Sequence, residues 1–371
     1  MIVLSSVWIK FACDPFEESA DFLGRNLGHG IKGATINAIG SSLPELFVTV
    51  LCLFVFKDTA GFSSGIATSA GSAVFNAAVI PALVLMAISL KLGIKHISIR
   101  KSVILRDGIT YLITIIVFSM VITLPSLTWW MGGALVGIYA LYTLVLIRLQ
   151  STFVRDNLEE DEIEADLDDK TPLNRFLALL KFDFKVLLFG NAEYTSFSAW
   201  LTISLATLNL GAACYLLTHS IVEIAHIWQM NTFFVAVLLA AAATSVPDTI
   251  ISVKDALKGN YEDAVANAIG SNIFDICIGL GLPILIYTLI NGDLVIASEN
   301  AMGIFDLVIV LLFLSIIVFF AFLFPKKVGF KTGVLLIFLY VGYGVFAISS
   351  GLEHGWAKQM SVLIRGAFTF N

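Results

Sequence analysis

Charge is scarce in this chain: Asp, Glu, Lys and Arg make up 13% of its 371 residues, about half the share of an ordinary soluble domain. Cysteine is scarcer. Cys13, Cys52, Cys214 and Cys277 are scattered without C-x-x-C or metal-ligand spacing, which removes a disulfide framework and leaves small residues for packing. His29, His96, His219, His226 and His354 fall near or beyond the ends of apolar runs, and none shares a motif with Ser or Glu. H-E-x-x-H does not occur, and Gly61-Phe62-Ser63-Ser64-Gly65, which fits G-x-S-x-G by letter, has no His in or beside it, so a membrane-embedded hydrolase finds no support and no enzyme is expected. A net charge of −6 gives no reason to expect a nucleic-acid partner.

What the chain does have is apolar length. Hydrophobic residues reach 58%. Ile31–Phe56, Gly65–Leu90, Leu105–Thr123, Trp129–Leu149, Trp200–Thr218, Thr232–Val253, Val265–Ile290, Ile304–Phe324 and Thr332–Ser350 each offer roughly the 20 residues a spanning helix needs. The short alternating segments of a membrane barrel are missing. Met1–Cys13 is short for a crossing but continues amphipathically through Asp14–Leu23. It lacks a basic n-region and a small-residue cleavage site, so it reads as a tenth helix rather than a signal peptide. The expected fold class is an all-α membrane protein of about ten transmembrane helices.

Basic residues orient such a bundle. With the N-terminus outside, 18 of the 22 Lys and Arg fall in inner loops, leaving Lys57, Lys358 and Arg365 outside and Lys10 within the first helix. That bias predicts a cytoplasmic central loop and both termini on the far side.

Two segments are duplicated within the apolar runs. Gly40-Ser41-Ser42-Leu43-Pro44-Glu45 returns as Ala243-Thr244-Ser245-Val246-Pro247-Asp248, and Gly71-Ser72-Ala73-Val74-Phe75-Asn76 as Gly270-Ser271-Asn272-Ile273-Phe274-Asp275. The offsets are 203 from Glu45 to Asp248 and 199 from Asn76 to Asp275, the difference lying in the Phe56–Gly65 connection. Five crossings separate the copies, so they run in opposite directions. Two inverted-topology five-helix repeats are expected, with a site at the midplane where they meet. The halves would be 1–149, with its repeat at about 31–90, and 199–371, with its repeat at about 232–290.

The motifs carry oxygen chemistry. Ser41, Ser42 and Glu45 share a helix face, as do Ser72 with Asn76 and Ser271 with Asp275. Pro44 and Pro247 lack an N–H and free carbonyls one turn back, beside the acids. Gly71 and Gly270 allow close helix approach. Hard cations take such oxygen sets, whereas zinc or copper would call for His or Cys. A lone acid at the bilayer centre costs at least about 2.5–3.5 kcal/mol, and apart from Lys32 at the very end of its run no Lys or Arg occurs in the motif runs to pair with Glu45, Asp248 and Asp275. Three Na⁺, or one Ca²⁺ with one further positive charge, would balance them. Mutually exclusive occupancy would make an antiporter. Protons could serve the same carboxylates, so Ca²⁺/H⁺ exchange is the alternative, although the surrounding hydroxyls favour Na⁺. Discontinuous inverted repeats speak for alternating access over a channel.

These four motifs resemble the α-repeats of the sodium/calcium exchangers in the cation/calcium antiporter superfamily. Cys13-Asp14 and Gly33-Ala34-Thr35 resemble the potassium-dependent branch. The resemblance implies that Glu45 and Asp248 ligate Ca²⁺, with the backbone carbonyls of Ser41 and Thr244. It implies that Ser42, Ser72, Ser245 and Ser271, with the carbonyls of Ala38 and Ala241, serve flanking Na⁺ sites. Asn76 and Asp275 would line the central position. Asp248 stands where many bacterial members have Glu, and Asp275 resembles a position associated with K⁺ co-transport, which stays open. Asn37, on the face of Ser41 and Glu45, is read as a packing residue in preference to a ligand.

Between the halves, 150–198 carries an acidic run that includes Glu159, Asp161, Glu164 and Asp169. Without an EF-hand ligand order it reads as a solvated linker rather than a cation sensor. Asn174–Gly190 reads as an amphipathic helix on the inner membrane surface. The expected partners are the bilayer and the Ca²⁺ and Na⁺ ions, with no cofactor and no obligate protein partner. Compact loops fit a prokaryotic inner membrane.

Overall fold

The structure is a computed structural model that describes residues 1–23, 38–56, 59–124, 126–153, 184–189, 195–295 and 298–368. Gly33, Ala34, Thr35, Asn37 and the acidic run of the central segment lie outside the described residues.

Helix dominates, as the apolar runs require. The first half holds α1 (Ile2–Leu23), α2 (Ala38–Ser41), α3 (Leu43–Val50), α4 (Thr59–Lys91), α5 (Lys101–Ile122) and α6 (Trp129–Phe153). A short α7 (Phe184–Phe189) is the described part of the expected interfacial segment. The second half holds α8 (Ser196–Trp228), α9 (Thr232–Val235), α10 (Ala241–Thr244), α11 (Val246–Leu257), α12 (Tyr261–Phe274), α13 (Gly281–Asn291), α14 (Ser298–Leu323), α15 (Phe330–Gly351) and α16 (Gly355–Phe368). Among the described residues, 8 helices are long and apolar enough to cross a membrane, and Thr232–Thr244 with Val246–Leu257 makes a further candidate bent by 41°. α1 has the length, at 22 residues, but carries Lys10, Asp14, Glu17, Glu18 and Asp21.

Burial sorts the helices into two layers. α4 is buried on every face from Ser63 to Val74, and α12 is nearly so from Asp263 to Phe274. A helix apolar all round belongs in the middle of a bundle. α5 exposes the stripe Ile109, Ile113, Ile116 and Met120, the spacing of a lipid-facing side. Small residues bring the central helices close. A Cβ on Gly71 of α4 would lie 2.1 Å from the Val237 carbonyl oxygen, so only glycine fits. α1 packs along α8, where Trp8 Nε1 donates to Asn209 Oδ1 at 3.0 Å.

Loop contacts fall into two sets. β1 (His96–Ile97) pairs antiparallel with β2 (Val328–Gly329), and Arg100 at the start of α5 bonds Glu262 at the start of α12. Separately, Leu127 and Leu294 exchange backbone hydrogen bonds of 2.8 and 2.9 Å. With helices alternating in direction, the first set lies on one membrane face and the second on the other.

Two helix boundaries differ from the apolar runs. α8 continues through Thr218 to Trp228 and stops at the left-handed Gln229, so the expected Thr218–Asn231 connection shrinks to Gln229–Asn231. Ile221 and Ala225 are buried there while His219, Glu223 and His226 are exposed, which is a helix with one wet face. α16, after the last apolar run, was not expected. It exposes Trp356, Met360 and Leu363 and packs Ala357 inward.

Candidate cation site

Proline places both acids. Pro44 and Pro247 stand in the first turns of α3 and α11, where a missing N–H costs nothing, and the chain leaves helical geometry just before them at Ser42 (φ −95°, ψ 4°) and Ser245 (φ −81°, ψ 5°). Pro44 has no N–H for the carbonyl of Gly40, nor Pro247 for that of Ala243. The ladder resumes with Leu46 N–H to Ser42 O at 3.5 Å and Thr249 N–H to Ser245 O at 3.1 Å. Glu45 and Asp248 therefore sit in the first turns of their helices, where the backbone dipole favours negative charge. π-helical turns adjoin the motifs at Leu51–Val55, Ala236–Ala240 and Asp275–Leu280, a feature that recurs at functional positions in helices.

The two halves meet through these side chains. Ser41, Ser42, Glu45, Ser72, Asn76, Thr244, Ser245, Asp248, Ser271 and Asp275 are all fully buried. Asp248 Oδ1 accepts from Ser41 of the other half and from Ser271 at 2.6 Å, and Asp248 Oδ2 accepts from Asn76 Nδ2 at 3.2 Å. Ser72 Oγ lies 2.9 Å from Glu45 Oε1, 2.8 Å from Ser245 Oγ and 3.2 Å from Asp275 Oδ2. Its single proton serves only one of these acceptors at a time. Asn76 Nδ2 reaches Asp275 Oδ2 at 3.5 Å and Ser72 Oγ at 3.3 Å.

Acceptors outnumber donors in this cluster. Glu45 Oε2, Asn76 Oδ1 and Asp275 Oδ1 have no hydrogen-bond partner among the described residues. Buried acceptors without donors are what a cation satisfies. Among the described residues no three His, Cys, Asp or Glu side chains lie close enough to share an ion. The three acids are linked through two side chains: Ser72 reaches Glu45 and Asp275, and Asn76 reaches Asp248 and Asp275.

The Thr244 hydroxyl turns back to the carbonyls of Ala240 and Ala241, at 3.1 and 3.2 Å. The Ala241 carbonyl also accepts from Ser245 N–H, and that of Ala38 from Ser42 N–H, both at 3.1 Å. Three further polar residues border the site: Asn272, which lies in a motif without having been assigned a role, and Asn267 and Tyr111, which lie outside the motifs. Asn267 Nδ2 reaches the Asp248 carbonyl at 3.4 Å, and Asn272 Nδ2 and the Tyr111 hydroxyl reach the Ala73 carbonyl at 3.2 and 3.4 Å. Their only signal was a polar residue inside an apolar run.

Beyond the site lie further buried acids, among them Asp107 and Asp306. Asp107 on α5 accepts from Arg106 at 2.6 and 2.8 Å and from the Tyr142 hydroxyl at 3.0 Å. Asp306 on α14, at an offset of 199 from Asp107, is gripped by Arg365 of α16 at 3.0 and 2.7 Å.

The model of the family described as sodium/calcium exchanger protein matches residues 1–148 and 198–349. The chain belongs to the sodium/calcium exchanger family. That family consists of membrane transporters, not enzymes. This exchanger is 26% identical to human sodium/potassium/calcium exchanger 5, over 94% of this chain and 82% of the human protein. It is also 26% identical to the putative antiporter CaxA of Alkalimonas amylolytica, over 77% and 79% of the two chains. In fold it resembles the H⁺/Ca²⁺ exchanger CAX, with a TM-score of 0.62 at 15% identity over 99% of this chain and 88% of that one. The sodium–calcium exchanger NCX_Mj follows at 0.56 and 19% identity, over 91% and 94%. Both likenesses speak for the fold alone.

Proposed function

We propose that this exchanger moves Ca²⁺ against Na⁺ by alternating access, from ten spans arranged as two inverted five-helix repeats. The observation that carries the reading is the interlock of the half-sites: Ser41 bonds Asp248 across the halves, and Ser72 touches Glu45, Ser245 and Asp275. Glu45 and Asp248 hold Ca²⁺ with the carbonyls of Ser41 and Thr244. Ser42, Ser72, Ser245, Ser271 and the carbonyls of Ala38 and Ala241 hold Na⁺, and Asn76 and Asp275 line the centre. When a cation enters, the hydroxyl protons turn away and the carboxylates exchange donors for the ion. A buried set of acids that must always be neutralised, by one kind of ion or the other, couples the two fluxes. Because several curated relatives are sodium/potassium/calcium exchangers, Asp275 is the position at which K⁺ would join.

The termini and the Leu127–Leu294 contact are assigned to the outside, and 150–198 to the cytoplasm, on the basic-residue bias of a prokaryotic inner membrane. Ca²⁺/H⁺ exchange is the second reading, since Glu45 Oε2 and Asp275 Oδ1, without a hydrogen-bond partner among the described residues, can take a proton in place of a cation. Ca²⁺ uptake by proteoliposomes, with Na⁺, K⁺ and pH gradients imposed separately, decides. A Na⁺ gradient is expected to drive uptake at constant pH. Uptake driven only by a pH gradient would replace the first reading with the second.

A further inference from the structure

Beside the site, a narrow crevice enclosing about 40 Å³ opens between α4, α5, α12 and α14. Its walls are apolar, formed by residues such as Pro81, Ile104, Ile269 and Phe319. One edge of the Phe319 ring packs against α5 where Gly108 has no side chain; a Cβ there would stand 2.5 Å from the ring. Asn76 and Asn272 also line the crevice, both fully buried.

The amide orientations are settled by their neighbours. Asn76 Nδ2 must face the carboxylates of Asp248 and Asp275, and Asn272 Nδ2 must face the Ala73 carbonyl. The oxygen ends, Asn76 Oδ1 and Asn272 Oδ1, have no hydrogen-bond partner among the described residues. Two buried acceptors at the edge of an apolar crevice ask for one kind of ligand: an apolar body ending in N–H donors. A positive head is favoured over a neutral one because Asp275 is bonded to the same Asn76. No charged side chain lines the crevice to repel it.

We propose that this crevice binds a small primary organic cation, an alkylammonium with its chain between Ile104 and Phe319 and its head on Asn76 and Asn272. A charge held there competes with cations for Asp275, so occupancy inhibits transport. Binding rests on the crevice alone, whereas inhibition also rests on the exchange reading.

The test uses the whole chain in lipid nanodiscs and proteoliposomes, with n-heptylammonium and its N-trimethylated analogue as probes. Both enter bilayers and carry the same charge, but only the first donates N–H bonds. Heptylammonium is expected to raise the unfolding temperature and to inhibit Ca²⁺ flux at a concentration about tenfold lower than the analogue, the factor that about 1.4 kcal/mol of preference gives. Ile104→Phe and Val318→Phe, which fill the crevice, are expected to abolish that preference. Equal shifts from the two amines in the wild-type protein would overturn the proposal even if neither filled variant folds. An unchanged preference in both filled variants would overturn it too. A thermal preference in a protein that shows no Ca²⁺ flux would support the crevice while counting against the exchange reading.

Discussion

In the first half α4 runs unbroken from Thr59 to Lys91, whereas its counterpart is divided by the π-helical turn Asp275–Leu280 into α12 and α13. The residues at the matching position differ as well: Asn76 in the first half, Asp275 in the second. They lie 3.5 Å apart, amide nitrogen to carboxylate oxygen. Two aspartates there would repel each other and two asparagines would carry no charge. The duplicated frame therefore brings like positions together, and divergence makes one a donor and the other an acceptor. The second acid pair is unequal too. Asp248 accepts from Ser41, Ser271 and Asn76, while Glu45 Oε1 accepts from Ser72 and Glu45 Oε2 has no partner among the described residues.

The largest effect is expected from removing either main acid. Glu45→Gln and Asp248→Asn should each reduce Na⁺-driven Ca²⁺ flux at least about 100-fold, on the order of 2.7 kcal/mol, with insertion and folding retained. If one of the two kept wild-type ⁴⁵Ca²⁺ flux, the halves would not share a Ca²⁺ site and the assigned ligand set would fall.

Next come two of the buried acids outside the site. Asp107 is neutralised by its own neighbour Arg106 and by Tyr142, whereas Asp306 depends on Arg365 from a separate helix, α16. Removing one partner of a buried ion pair costs about 3–5 kcal/mol. The Arg365 side chain is 35% exposed, so about 2 kcal/mol is the better expectation for Arg365→Gln. Asp306→Asn should cost less, because the freed guanidinium can reach water, and the double variant should resemble Asp306→Asn alone. Thermal unfolding in nanodiscs measures all three. A double variant as unstable as Arg365→Gln would show that α16 holds by packing, not by this charge.

The site was largely legible in the sequence because it is written twice: Pro44 with Glu45 and Pro247 with Asp248 recur at one offset, inside runs that exclude water. Asn267 and Asn272 were not legible, since their counterparts at the offset of 199 are Thr68 and Ala73, and a single polar residue between membrane helices is ordinary. The end of α8 was obscured by His219, Glu223 and His226, which resemble a loop until burial of Ile221 and Ala225 shows a wet helical face. Arg365 and Asp306 are 59 residues apart, and nothing in the chain announces that they meet.

A smaller effect is expected from making the halves alike. Asp275→Asn gives both halves the amide of Asn76 and removes one negative charge from the site. Ca²⁺ held by Glu45 and Asp248 should still be carried, while any K⁺ requirement is lost or shifted. The measurement is Ca²⁺ flux against K⁺ concentration at fixed Na⁺. A cation profile identical to wild type would place the K⁺ preference elsewhere.

The smallest effect sharpens the contrast within one corner of the second half. Glu353, just after α15, accepts from Lys358 of α16 at 2.7 Å, and this bond and the ammonium charge hold its carboxyl below the ordinary carboxylate value. The sign follows directly. The pair contributes when pH is above the unfolded carboxylate value, and the contribution disappears as pH falls through the lower folded value. Both groups are exposed, so water and salt screen the attraction to nearly nothing. Glu353→Gln should therefore leave the unfolding temperature unchanged from pH 7 down to pH 3, although its partner Lys358 stands on the same helix where Arg365→Gln is destabilising. A pH-dependent loss of stability from Glu353→Gln would mean that this turn is shielded from solvent by lipid headgroups, and that α16 lies deeper in the interface than its exposed polar residues suggest.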